Sequence, residues 1–464
     1  MNKCHCMRTA IGTAVAVVIM LASSVLGADA SIVGDFTGST SKTPPVTSLK
    51  MDPSDYTGWI RLYVMEIESH WDDDAGQPFH YGFLGFAVDS YIVMSDGSRY
   101  AGNLVWNCND AGWWSSDDRD NIFVIAVLSN DDPHQAYSDP PTGNPFWAYY
   151  VDATAGAGPG EVDSNHTTGN STHTVFVIDH STTWCPNCPT TSYYLNSVYN
   201  SGNYNFFFTT MVSDRNPKAD VWLDSLYNSK YIPTCYNDGG YDVLIGGVSP
   251  HTPYQNMVNY CAARAVEDVG VILHVEWPDT AVCDMYIDFA MAHGTPVNTE
   301  PATPLAPTGP DPILRDTTGE YVVLGTDPEN DQLFYRWDWG DGDTSIWSDR
   351  IDDGIACTLS HSWAANGDYD VRVQVKDPFE EAGGWSAPMT VSVFCCLLRG
   401  DVDATGATDV GDLTSLVAYL FQGGAAPPCE DEGDVDGSGA TDVGDLTSLV
   451  AYLFQGGASP PACP

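Results

Sequence analysis

One stretch near the C-terminus occurs twice without a change: GATDVGDLTSLVAYLFQGGA fills Gly406–Ala425 and again Gly439–Ala458. Two copies at a spacing of roughly 33 residues read as one small unit duplicated in tandem, because neither copy alone can bury an apolar face. Each copy opens with oxygen-bearing groups at alternating positions. The first offers Asp401, Asp403, Thr405, the Ala407 carbonyl, Asp409 and Asp412; the second offers Asp434, Asp436, Ser438, the Ala440 carbonyl, Asp442 and Asp445. Calcium takes about six to eight oxygens, which a loop of roughly twelve residues supplies by turning inward around a glycine. Gly406 and Gly439 stand at that turn. Downstream, Val410, Leu413, Leu416, Val417, Leu420 and Phe421 fall at helical spacing, so each loop is expected to feed one short amphipathic helix.

The carboxylates of these loops are a small part of a general acidity. The chain of 464 residues holds 62 Asp+Glu against 17 Lys+Arg, a formal charge of −45. Such a surface repels phosphate backbones and anionic lipid, which argues against nucleic-acid or membrane-surface binding. Disorder is excluded by composition, since 43% hydrophobic and 12% aromatic residues supply material for several cores. Lys3 and Arg8 precede an apolar run from Ala10 to Leu26, and Ala28-Asp29-Ala30 supplies a small-x-small cleavage site. Residues 1–30 therefore read as a signal peptide, with no membrane span after its removal. Thirteen cysteines agree with export to an oxidising compartment, secreted or at the cell surface.

Composition divides the rest into four modules. Residues 31–158 carry short alternating runs, Trp59–Ile67, Phe83–Met94, Asn121–Leu128 and Phe146–Ala153, which predict an antiparallel β-sandwich of no family that the residues reveal. Trp106, Trp113 and Trp114 are either core residues or a stacking platform for a polysaccharide. Residues 172–265 alternate strand and helix, which predicts an α/β fold with a β extension to 295 through Val269–Trp277 and Cys283–Met291. Residues 300–394 return to strand patterning, clearest in Tyr369–Val375. Residues 400–464 are the duplicated tail.

Within the α/β module the sequence Trp184-Cys185-Pro186-Asn187-Cys188 follows a strand and is expected to open a helix. A helix N-terminus stabilises a thiolate at the first cysteine, and two intervening residues bring the second within reach. With Asp179 ahead of the pair and Ile232-Pro233-Thr234 behind it, the segment resembles the thioredoxin fold. That resemblance implies Cys185 as nucleophile, Cys188 as resolving thiol, Asp179 as proton handler and Pro233 in a cis-proline loop that pairs with a protein thiol or disulfide substrate. Asp238-Gly239-Gly240 and Gly246-Gly247 resemble the family's turn and glycine after its last two strands. The Pro186-Asn187 dipeptide departs from the Gly-Pro of reducing thioredoxins, and Cys235 beyond the proline is a second departure. In an exported chain the pair reads either as an exchanging dithiol or as a permanently oxidised bridge. A zinc site lacks a second CxxC or a histidine pair.

Trp337-Asp338-Trp339-Gly340-Asp341-Gly342, then Ser360-His361-Ser362-Trp363 and Gly367-Asp368-Tyr369, resemble the PKD family of immunoglobulin-like domains, which implies a spacer or adhesive role. The duplicated tail resembles the type I dockerin module. This implies two Ca2+ sites and docking to a cohesin-like scaffold or cell-surface protein through Val410-Gly411 and Val443-Gly444, identical in the two copies. Thr405 and Ser438 depart from the acidic or amide residue common at their loop position. Cys395, Cys396, Cys429 and Cys463 flank the repeats and allow three pairings, among which sequence does not choose.

Overall fold

The computed structural model describes residues 31–33, 54–108, 116–167, 170–171, 173–278 and 283–463. The expected signal peptide and Trp113 and Trp114 lie outside these. The molecule is multidomain and mostly β, and it divides into two compact units: residues to Thr299 with Pro378–Glu380, and the remainder from Glu300 onward. No helix among the described residues is long and apolar enough to cross a membrane.

In the first unit β1 (Ser31–Val33), β2 (Tyr56–Asp72), β3 (Pro78–Met94), β4 (Arg99–Asn107), β5 (Ile122–Asn130), β6 (His134–Asp139), β7 (Gly143–Ala148), β8 (Val151–Ala157), β9 (Glu161–Ser164), β10 (His166–Thr167) and β11 (Asn170–Ser171) come first. A second run follows: β12 (Val175–Ser181), α1 (Cys188–Asn200), β13 (Phe206–Val212), α2 (Pro217–Tyr227), β14 (Thr234–Asn237), β15 (Asp242–Ile245), α3 (Thr252–Ala262), β16 (Val269–Glu276) and β17 (Asp284–His293). β12 and β13 are parallel, while β14 runs antiparallel to β12 and forms a hairpin with β15.

The two runs do not make separate sheets. β13 pairs with β3 at Thr210 and Gly82, so one sheet runs β15-β14-β12-β13-β3-β2-β5-β8 across the linker expected between 158 and 172. The segments Val269–Trp277 and Cys283–Met291 are strands, as their alternation predicts, yet they do not extend the α/β sheet. β16 and β17 pair with each other, with β4 and with β9 in a second sheet. Their inward Val269, Val271, Leu273, Val275, Met285 and Ile287 pack on Ile60, Leu62, Val64, Val124 and Ala126 of the first sheet. The physical reason is the period of two: it gathers Val269, Val271, Leu273, Val275, Met285 and Ile287 on one continuous apolar face, which packs on the apolar face of the N-terminal strands.

Alternation also sorts the helices. Val175, Val177, Phe206 and Phe208 meet Leu195 and Val198 of α1 and Tyr254, Met257 and Val258 of α3, while Phe176 and Ile178 point to the other face with Trp222 and Leu223 of α2. α2 begins at Pro217 with the Asn216 side chain accepting from the Lys218 N–H, and ends at Asn228 in the left-handed region.

The second unit begins with β18 (Ile313–Leu314), β19 (Gly319–Val323), β20 (Phe334–Asp338), β21 (Cys357–His361), β22 (Gly367–Lys376) and β23 (Met389–Phe394). The sheets β18-β23-β22-β20 and β19-β21 enclose Trp337, Trp339, Trp363, Tyr321 and Tyr335. These are the tryptophans expected to fill a small sandwich. Gly340 takes φ 77, and a Cβ there would sit 2.7 Å from the Asp370 nitrogen, so the turn after Trp339 requires glycine. The tail follows as α4 (Val410–Gln422), the single turn α5 (Glu430–Gly433) and α6 (Val443–Gln455). α4 and α6 bury Leu416 and Leu449 against Val402 and Val435. Of the three pairings open to sequence, the structure contains Cys395–Cys429 and Cys396–Cys463.

Candidate functional site

Cys185 and Cys188 are joined as a disulfide in the turn that leads from β12 into α1. Cys188 is the first helical residue, and its N–H donates to the Cys185 carbonyl at 3.2 Å. The Asn187 side chain does not cap the helix, so the N-terminal N–H groups stay directed at the turn. A Cβ on Gly247 would collide with the Asn187 carbonyl, which explains a glycine behind the disulfide turn. The Ile232–Pro233 peptide is cis, and the Pro233 carbonyl accepts from Gly246 N–H at 2.8 Å. Ile232 packs on the disulfide.

Asp179 lies on β12 with no exposed surface. Its Oδ2 accepts from the Ser181 hydroxyl at 2.9 Å, and its Oδ1 is buried without a hydrogen-bond partner. Burial pushes the carboxyl up to about 7, against the pull of that hydroxyl. Directly across the ladder on β14 stands Cys235, buried as a thiol. Burial, with Asp179 adding to it, holds that thiol well above its usual range. The next residue, His180, is pushed down to about 4 by burial, and its ring lies between the Ser229 and Ser213 hydroxyls at 2.6 and 2.9 Å.

The surroundings of the disulfide include residues that sequence reasoning missed. Phe79 and Val212 complete a small core with Cys185 and Cys188, and Trp71 packs on it. Trp71 and Phe79 come from the end of the β2–β3 hairpin, turned by Asp73, whose Oδ1 accepts from Ala75 and Gln77 N–H. Cys185 is consequently only 2% exposed, while neighbouring Trp184 is 63% exposed. No motif marks this cover; the signal was the length of two alternating runs facing each other across a Gly-containing turn.

In the tail, carboxylate oxygens of Asp401, Asp403 and Asp412 lie within 4.8 Å of one another, as do those of Asp434, Asp436 and Asp445. Asp409 and Asp442 stand apart as N-caps, accepting from Gly411 and Gly444 N–H, with Asp412 and Asp445 completing the capping boxes. Thr405, Ser438, Ala407 and Ala440 lie in the same loops. The Thr405 and Ser438 N–H groups donate to Asp401 and Asp434. Burial raises Asp412 and Asp445 above the ordinary carboxylate range. The loops also differ in the charge set against them. Arg399 Nη1 pairs with Asp434 Oδ2 at 2.6 Å, and the residue equivalent to Arg399 in the second copy is Glu432, which accepts from Leu397 and Leu398 N–H. In the first module Trp106 is half-buried against the sandwich core.

The family model described as PKD domain matches residues 301–393. Residues 301–393 are a PKD domain. The PKD domain of an M14-like peptidase from Thermoplasmatales archaeon SCGC AB-540-F20 is 33% identical, over 21% of this chain and 97% of its own, with a TM-score of 0.20. The PKD domain of the human VPS10 domain-containing receptor SorCS2 is 16% identical, over 22% of this chain and 84% of its own, with a TM-score of 0.16. No curated protein matches the chain. In the PKD domain His361 stacks on Trp339 at 4.4 Å and reaches the Asp341 carboxylate at 2.9 Å. That carboxylate also accepts from Asp343 N–H, so it serves the turn. A PKD domain and disulfides fit a modular extracellular protein.

Proposed function

We propose that the chain is an exported modular protein whose Cys185–Cys188 pair exchanges disulfides with protein thiols, and whose tail binds two calcium ions and docks to a cohesin-like scaffold or surface protein. The observation that carries the redox half is the convergence of the bridged pair, the start of α1, the cis peptide before Pro233 and the buried Asp179 on one short strand and its neighbours. The β12-α1-β13-α2-β14-β15-α3 order, with β12 and β13 parallel and the last hairpin antiparallel, supports a thioredoxin-like reading.

From the oxidised state, a substrate thiolate attacks the Cys185 sulfur. The S–S bond breaks, Cys188 leaves with the electron pair, and protonated Asp179 supplies its proton. A second substrate thiolate then attacks the substrate sulfur of the mixed disulfide, and Cys185 leaves as the thiolate facing the helix N-terminus. Run in reverse, the same residues reduce a substrate disulfide, with Asp179 as carboxylate accepting the Cys188 proton. Trp184, exposed beside Cys185, offers the incoming chain an indole surface. Incubation with a scrambled-disulfide protein tests this: turnover should vanish in Cys185→Ser. Equal rates would refute exchange.

The cover by Phe79 and Trp71 favours a second reading, in which the bridge is structural and the chain is a non-catalytic surface component, with the first module on a polysaccharide. Access to Cys185 decides between them. For calcium, the residues present fit a hard cation. Asp403 Oδ1 is buried without a hydrogen-bond partner, and a Cβ on Gly411 would fall 2.9 Å from Asp403 Oδ2. Asp401, Asp403 and Asp412, with Thr405 and Ala407, would hold one ion, and Asp434, Asp436 and Asp445, with Ser438 and Ala440, the other. A bound ion supplies positive charge that offsets repulsion among the three acids. Val410 and Val443, each 54% exposed, lead α4 and α6 and give a scaffold two alike faces.

A further inference from the structure

Among the described residues the thiols of Cys108 and Cys283 form no disulfide, and they face each other at the end of the β4–β17 ladder. The ladder register runs Ala292↔Arg99 to Asp284↔Asn107, so the next opposed pair is Cys283 and Cys108. The Cys108 N–H donates to the Cys283 carbonyl at 2.9 Å, which keeps the ladder closed at that step. The preceding pair is tied as well, Asn107 Nδ2 donating to Asp284 Oδ1 at 2.6 Å. Opposed residues that exchange backbone hydrogen bonds hold their Cα atoms about 5.5 Å apart, and disulfides favour about 5.5–6 Å. Both side chains turn toward the same core, where Cys108 is fully buried and Cys283 packs at its margin.

We propose that Cys108 and Cys283 form a further disulfide in the native exported protein, fastening β4 to β17. Each thiol loses its hydrogen as one S–S bond forms. The two electrons and two protons pass to an acceptor disulfide of the oxidising compartment, which leaves as two thiols. Burial, with the neighbouring Cys283 thiol adding to it, holds Cys108 up to about 12, so the folded dithiol presents little thiolate at neutral pH. The bond therefore closes while the sandwich is assembling, before the core seals. The inference depends neither on exchange at Cys185–Cys188 nor on calcium. With this bond, the buried thiols left among the described residues include Cys235 and Cys261.

The test is a disulfide map of the full chain refolded from the reduced state with reduced and oxidised glutathione, alkylated in denaturant and digested without reductant. The expected product is a Cys108 peptide joined to a Cys283 peptide, lighter by two hydrogens than the separate peptides and lost on reduction. In Cys108→Ala, Cys283 should gain an alkyl label that it lacks in the parent. If that variant does not fold, the map of the parent decides alone. Alkylation of both residues in the parent, or a bond from either to a different cysteine, would overturn the proposal.

Discussion

Each of the two acidic loops takes its three clustered carboxylates from within its own repeat, Asp401 to Asp412 and Asp434 to Asp445, whereas the Cys185–Cys188 turn draws its walls from distant segments. Phe79 and Trp71 arrive from the β2–β3 hairpin, Ile232 from the loop before β14 and Val212 from the end of β13. A loop made of consecutive residues carries its whole chemistry in its spacing. A turn roofed by a remote hairpin does not, and the roof decides whether its sulfur meets a substrate. The two copies within the tail repeat this lesson on a smaller scale: identical helices follow loops of which only the second is neutralised by Arg399.

Removing calcium should separate the two regions most sharply. Calorimetry of the full chain should lose the cooperative transition of the tail in chelator, a loss of about 3–4 kcal/mol per bound ion if calcium is present at 100 to 1,000 times its Kd. The transition of the first unit should stay in place. An unchanged tail would show that the loops fold without a cation.

Asp179→Asn should have an effect of similar size with the opposite sign. The carboxyl sits near 7 in the folded protein and near 4 when unfolded, so the folded state holds the extra proton between those values. Stability from this group accordingly falls as pH rises from about 4 through 7. At pH 8 the buried charge costs on the order of 4 kcal/mol, which Asp179→Asn should largely recover. Urea melts of both proteins at pH 4 and pH 8 measure it; equal differences at the two pH values would contradict a buried ionising Asp179.

The cover is tested by Trp71→Ala, which should speed reduction of Cys185–Cys188 by dithiothreitol by roughly tenfold, the equivalent of about 1.4 kcal/mol of lost contact. An unchanged rate would mean that the hairpin end does not limit access. The smallest expected effect is that of Arg399→Met. Removing the cation beside Asp434 should strengthen calcium binding by the second loop by about 1 kcal/mol, leaving the first loop unchanged. Weaker binding, read by titration calorimetry, would assign Arg399 a supporting role instead.

Much of this was legible because it is local. The PKD core follows from Trp337, Trp339 and Trp363 in alternating strands, and α4 and α6 follow from apolar spacing, although Asp409 and Asp442, expected among the calcium oxygens, cap the two helices. Cys185 and Cys188 are named by their spacing, and Asp179 and Pro233 by the resemblance of the segment around them to the thioredoxin fold. What was not legible depends on pairing at a distance. Alternation says that β3 and β13 are strands but not that Gly82 meets Thr210, so the apparent seam between modules runs through a continuous sheet. The same limit hid the roof of Phe79 and Trp71, the placement of Cys235 opposite Asp179, and the meeting of Cys108 with Cys283.

The central claim is that the roofed pair still exchanges. Its most direct measurement is mixed-disulfide trapping: the full-length Cys188→Ser variant, mixed with a disulfide-containing protein, lacks the resolving thiol and should accumulate a reductant-sensitive adduct through Cys185. The account predicts that adduct, and its absence in Cys185→Ser. No adduct from Cys188→Ser, with the fold intact by circular dichroism, would contradict exchange and leave the bridge a structural one.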